Sequence, residues 1–332
     1  MDLHLLSSLI DPAILLFFFG LFAGAIRSNL EIPPALAKFF SLYLLLVVGF
    51  KGGVSLAATG FTPAMGWALL AATLLALAVP AWSFLVLKRR LSPFDAAAIA
   101  ATYGSVSAVT FITAAAYAEQ QNLAVGGYMA VALVLMESPA IIMAVLLANL
   151  ARRRASVGAA AVMPAAAASP LSIGKVLHEA FTDGAHLLLL GGLAVGFITG
   201  DAGKHVMQPF TDLQKGVLAF FLLDMGLLVA SRLKDLRSNG AFLGGFSILM
   251  PLFNAAAAAG LAKALVLPAG DAFMLMVLAA SSSYIVVPAV VRYAIPEANP
   301  SIYFSMSLAM TFPFNIVLGI PLYHGVVQWL WT

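Results

Sequence analysis

Apolar positions gather into long runs along this chain of 332 residues, and polar residues concentrate in the short stretches between them. Each run approaches the ~20 residues that an α-helix needs to cross a bilayer. Ten such spans are legible, at 12–27, 36–59, 64–87, 93–118, 124–150, 184–200, 214–233, 240–266, 271–293 and 301–330. Lipid offers no partner for a backbone amide or carbonyl, so spans of this kind close their hydrogen bonds internally as helices. The pattern predicts an all-α polytopic membrane protein with ten transmembrane helices.

Two spans are interrupted from within. The fourth carries TYGSVSAVTF at 102–111 and the ninth ASSSYIVVPA at 280–289, each a serine-rich polar stretch at mid-span. In a continuous helix Ser105 and Ser107 would project about 200° apart. An unwound stretch would bring them to one face and free backbone amides. Gly104 and Pro288 are residues that permit such a break. The N-terminus of the following half-helix then presents free N–H groups and the positive end of the dipole, which suit an anion. The plainer alternative is that these serines bond back to carbonyls of the preceding turn and help helices pack. Interruptions at matching positions of two repeats favour the binding role.

The matching extends along the chain. MESPAII at 136–142 returns as MTFPFNI 174 positions later, Lys38 to Gly49 lines up with Lys215 to Gly226, and Gly20 and Gly24 align with Gly192 and Gly196. Tyr117 follows Ser107 as Tyr293 follows Ser283. The shared order and near-constant offset point to a duplication. The alanine-rich segment 152–172, behind three arginines, reads as a cytoplasmic linker. It divides the chain into repeats at 1–151 and 173–332. Five spans per repeat is an odd number, so the second copy is expected to enter the membrane inverted. The Gly20/Gly24 and Gly192/Gly196 pairs have the small-xxx-small spacing of close helix packing.

Composition agrees. The chain is 62% hydrophobic and 9% charged, far below the ~25% charge of a soluble domain. Thirteen of its 17 basic residues fall on one side of the predicted topology, leaving Lys51, Lys204, Lys215 and Lys263. The positive-inside rule places both termini outside, and it accounts for the net charge of +3 without a nucleic-acid partner. The absence of cysteine excludes disulfides and thiolate sites. No zinc motif, phosphate loop or Ser/His/Asp arrangement is present, and the five histidines lie near predicted helix ends.

Three intramembrane charges need partners. Glu137 lies midway along the fifth span, beside Ser138 and Pro139, at a depth where a lone carboxylate costs about 2.5–3.5 kcal/mol on insertion scales. Its counterpart segment offers Thr311 and Asn315. One carboxylate with hydroxyl and amide oxygens suits a hard cation such as sodium. Glu137, Ser138, Thr311 and Asn315, with Thr110 of the fourth span, are the candidate ligands; a protonated or hydrogen-bonded structural acid is the plain alternative. Lys51 and Asp224 lie ~20 Å and ~14 Å along their spans from opposite faces, depths that nearly coincide. A structural ion pair is expected between them, with Asp224 as a proton carrier the alternative.

YGSVSAVTF (103–111), ESPAII (137–142), PEANPSIY (296–303) and TFPFNIVLGIPLY (311–323) resemble the SbtA-type sodium-dependent bicarbonate transporters, and the likeness runs over nearly the whole chain. The resemblance implies a core domain (64–150 and 240–332) in which helices 4 and 9 cross, a gate domain (12–59 and 184–233) and a homotrimer. It also implies sodium-coupled uptake of bicarbonate across a bacterial plasma membrane by an elevator-like motion, and a PII-like regulatory protein as a candidate cytoplasmic partner. Gly104, Ser105, Val106, Ser107, Ser281, Ser282 and Ser283 would then hold bicarbonate, beside co-transported sodium. A cation/proton antiporter, or a sodium-coupled carrier of another small organic anion, stands as the alternative. A membrane scaffold without transport would gain nothing from two destabilised spans.

Overall fold

The computed structural model describes residues 11–158, 183–233 and 240–332. Most of the expected linker 152–172 lies outside the described residues, as do Lys175, Lys234 and Arg237 of the expected inner loops.

The helices are α1 (Pro12–Ala25), α2 (Pro34–Thr59), α3 (Pro63–Leu87), α4 (Pro93–Gly104), α5 (Ala108–Gln120) and α6 (Met129–Gly158). After the undescribed segment come α7 (Gly184–Asp212), α8 (Gln214–Arg232), α9 (Gly240–Ala264), α10 (Ala269–Ala280) and α11 (Val286–Ala294). The last, α12 (Pro300–Trp331), contains two wider π-type stretches, Met306–Thr311 and Asn315–Gly319. Among the described residues seven segments are long and apolar enough to cross a membrane, counting α4 and α5 as one, and α1 and α10 are shorter apolar helices. The chain is an all-α polytopic membrane protein.

Local chemistry sets the helix starts. Pro12, Pro34, Pro63, Pro93 and Pro300 occupy first-turn positions, where a missing N–H costs nothing. Asp11 caps α1 through Ala13 N at 2.8 Å, and Ser92 caps α4 while donating to Asp95 at 2.7 Å. Gly200, with φ of 53°, kinks the chain within α7 where the apolar run 184–200 ends, and helix resumes beyond it.

Two tight pairs flank the molecule, α1 with α8 and α2 with α7. A methyl at Gly20 would come within 2.1 Å of the Leu223 carbonyl oxygen, and one at Gly196 within 2.1 Å of that of Phe50. Backbones touch there, as the glycine spacing predicts. α4 and α10 are buried along nearly their whole length, between α3, α6, α9 and α12. Large apolar side chains such as Phe19, Phe22, Leu74 and Leu249 face outward, as lipid contact requires.

Candidate functional site

Both interruptions exist. α4 ends at Gly104, Ser105 is extended (φ −97°, ψ −178°), and α5 begins after Ser107. α10 ends at Ala280, Ser281 is extended (φ −77°, ψ 168°), and α11 begins at Val286. A methyl on Gly104 would lie 2.0 Å from Cγ of Pro80, so the first break sits directly on the proline ring of α3.

The two breaks satisfy each other. In an unbroken helix the Thr102 carbonyl would accept from residue 106, four positions on. Here it accepts from Ser283 N at 2.8 Å. The amide of Ser107, likewise released, donates to Ser281 Oγ at 3.1 Å, and that hydroxyl donates in turn to the Leu278 carbonyl at 2.8 Å. Ser107 caps α5, its Oγ accepting from Thr110 N at 3.2 Å, and Ser283 Oγ, two residues before the Ile285 cap of α11, accepts from Val287 N in that helix's first turn at 3.2 Å. All five candidate serines are at most 4% exposed. Gly104, Ser105, Val106, Ser107, Ser281, Ser282 and Ser283 therefore form one buried cluster.

Among the described residues five buried hydroxyls have no hydrogen-bond partner, those of Ser83, Ser105, Thr110, Ser282 and Ser307, and two of them, Ser105 and Ser282, lie within the breaks. Leaving a buried donor or acceptor unpaired costs about 1–3 kcal/mol each, so the hydroxyls of Ser105 and Ser282 are available to a polar partner at little cost. Among the described residues no group of three or more His, Asp or Glu side chains is arranged to hold a metal ion. The oxygen donors on offer are hydroxyls and carbonyls, which suit a hard monovalent cation.

The other candidate ligands are placed differently. Thr311 Oγ1 donates to the Ser247 carbonyl at 2.8 Å and meets the Tyr103 hydroxyl at 2.6 Å. That carbonyl is available because Pro251, four residues on, has no N–H to offer it. With the threonine proton committed, Tyr103 is the donor. Asn315 donates from Nδ2 to the Ala280 carbonyl at 2.9 Å and accepts the Tyr323 hydroxyl at 2.8 Å. Glu137, 4% exposed on α6, is bound to His186 Nε2 at the start of α7, and Asp183 lies 3.6 Å from the other ring nitrogen. The side chain of Ser138 lies outside the described residues.

The expected Lys51–Asp224 pair is not formed. Lys51 contacts both carboxylate oxygens of Glu119, at 3.0 and 3.1 Å, and Asp224 is half-buried on α8. Depth along a span places a residue on the membrane normal only. It gives no azimuth, and α2 turns Lys51 toward the end of α5.

Sequence reading overlooked Tyr103, Ser247, Tyr323 and His186. The offset between Pro251 and Ser247 was a usable signal for a freed carbonyl. In the sequence His186 reads only as a helix-end residue, although a buried carboxylate requires some partner.

The model of the Na+-dependent bicarbonate transporter superfamily matches residues 12–328. The chain belongs to this superfamily. Membership makes it a membrane transporter rather than an enzyme, with sodium as its coupled ion. No curated protein matches the sequence.

Proposed function

We propose that the protein imports bicarbonate by sodium symport, with the anion held at the meeting point of the two breaks. The observation that carries the reading is the reciprocal bonding of Ser107 with Ser281 and of Ser283 with Thr102, with the unpaired hydroxyls of Ser105 and Ser282 alongside. Amides at the starts of α5 and α11, with these hydroxyls, would supply donors to the anion. Thr110, whose hydroxyl is also unpaired, is the first candidate for sodium. Each ion would lower the cost of burying the other, which is the physical basis of coupling.

The same reading takes ten spans as two inverted five-helix repeats, with termini outside. The matched breaks, and the matched glycine contacts of α1 with α8 and α2 with α7, support it. The flanking pairs would form the gate and the buried centre the moving core of an elevator-like cycle. Assembly as a homotrimer, residence in a bacterial inner membrane and contact with a PII-like regulator follow from the resemblance alone.

Uptake of labelled bicarbonate into proteoliposomes, with and without an inward sodium gradient, tests the proposal; sodium-independent or absent uptake would end it. Sodium-driven current would set the stoichiometry, since one-to-one symport moves no net charge. The buried Glu137–His186 contact favours one second reading, cation/proton exchange, which a pH dye trapped in the same vesicles would expose.

A further inference from the structure

We infer that Thr311 and Asn315 act as positioning residues that hold the two breaks at a set spacing, rather than as sodium ligands. The inference rests on the transport reading above and assigns a role within that site. Four residues apart on α12, the two side chains occupy neighbouring turns, and each grips a different break. Thr311 takes the hydroxyl of Tyr103, the residue just before Gly104, and ties it to the Ser247 carbonyl of α9. Asn315 takes the carbonyl of Ala280, the last residue of α10, which the break leaves without a helical partner. Only one orientation of the amide puts a donor on that carbonyl and an acceptor on Tyr323.

Both groups are committed. Thr311 is wholly buried and Asn315 is 1% exposed. Recruiting either to an ion would mean breaking a buried hydrogen bond, whereas Thr110 and Ser307 offer hydroxyls with none to break. The local backbone is shaped around this arrangement. A methyl on Gly319 would lie 2.6 Å from Asn315 Oδ1 and 3.0 Å from the Tyr323 hydroxyl, so glycine keeps their bond open. Pro313 lies between the two residues, and wide π-type turns end at Thr311 and begin at Asn315. Such turns alter the azimuth of the side chains they carry. Through these two contacts, movement of α12 shifts Tyr103 and Ala280 together. Loosening either contact would spoil the anion cradle and the neighbouring cation site at once.

The test uses purified full-length protein in proteoliposomes, measuring half-saturation for bicarbonate and for sodium. Variants are Tyr323→Phe, Asn315→Asp, Thr311→Val and Thr311→Ser, with monodispersity in detergent as the folding control. Tyr323→Phe is expected to raise both constants in parallel by about fivefold, as loss of one buried hydrogen bond would, and Thr311→Val, which removes two, by at least as much. Thr311→Ser, which keeps the hydroxyl, should restore both. Asn315→Asp, when ionised, cannot donate to the Ala280 carbonyl and should behave like Tyr323→Phe; the latter removes one oxygen and serves where the former fails to fold. The inference is overturned if Asn315→Asp keeps or tightens sodium half-saturation while Tyr323→Phe matches wild type, because a ligand would behave that way. It is also overturned if Tyr323→Phe and Thr311→Val leave both constants unchanged in a wild-type background that transports. Wild-type protein that takes up no bicarbonate on a sodium gradient would defeat the transport reading first, and this inference with it.

Discussion

The amide of Ser107 donates to the hydroxyl of Ser281 at 3.1 Å, so a group released by the first helix break is satisfied by the second. A break in a lipid-embedded helix is tolerable only where its freed polar groups find partners. The pairing of breaks is thus a condition of folding as well as the frame of the candidate site.

Ser281→Ala should therefore cost more than a lost side-chain contact. It removes the acceptor for Ser107 N and leaves that amide buried, a penalty of about 1–3 kcal/mol. Expected are a thermal midpoint in detergent several degrees below wild type and bicarbonate uptake reduced at least tenfold. Wild-type uptake and stability in Ser281→Ala would show that the cross-break bond carries no weight.

At Gly104 the prediction concerns volume. A methyl there would meet Cγ of Pro80 at 2.0 Å, too close for any rotamer to relieve. Gly104→Ala should destabilise by about 1–3 kcal/mol, the usual cost of overpacking. Combining it with Pro80→Ala removes the obstructing ring, and the double variant should recover part of the loss. Equal midpoints for the single and double variants would place the strain elsewhere.

Much of this architecture is legible in the sequence because bilayer crossing demands long apolar runs, and the breaks announce themselves as polar stretches inside them. The glycine pairs fall at the close α1–α8 and α2–α7 contacts because only the smallest residue fits between touching backbones. Partner choice is another matter. Lys51 has the right depth for Asp224, yet bonds Glu119, because azimuth depends on how α2 packs against its neighbours. Glu137 signals a need for a partner without saying which, and His186 comes from the far side of the linker. Thr311 and Asn315 have the right atoms for a cation, but their surroundings already use them.

The Glu137–His186 contact should behave as a buried pair. Removing one partner leaves a polar or charged group stranded, at a cost of about 3–5 kcal/mol, whereas replacing both with apolar groups is often neutral. Glu137→Gln or His186→Leu alone should lower the thermal midpoint strongly, and Glu137→Leu combined with His186→Leu should lower it less than either. Additive losses would mean that each residue has an independent role. Uptake assays on the same variants address sodium dependence separately: an unchanged sodium requirement in Glu137→Gln would remove Glu137 from the cation site.

On the loop between α11 and α12, Glu297 accepts from Arg152 Nη2 at 2.9 Å, and the same guanidinium nitrogen donates to the Ala294 carbonyl at 2.9 Å. The guanidinium holds the Glu297 carboxyl below its ordinary range. A carboxylate whose folded pKa is depressed stabilises the fold above its unfolded value, near 4.3, and that contribution fades as pH falls through the lower folded value. Both side chains are partly exposed, so solvent screening limits the pair to about 1 kcal/mol at most. The difference in thermal midpoint between wild type and Glu297→Gln should accordingly be small but measurable at pH 7, shrink below the ordinary glutamate range, and close in stronger acid. It should also shrink at high salt. A gap that persists unchanged into strong acid would mean that Glu297 stabilises the loop by packing rather than by charge.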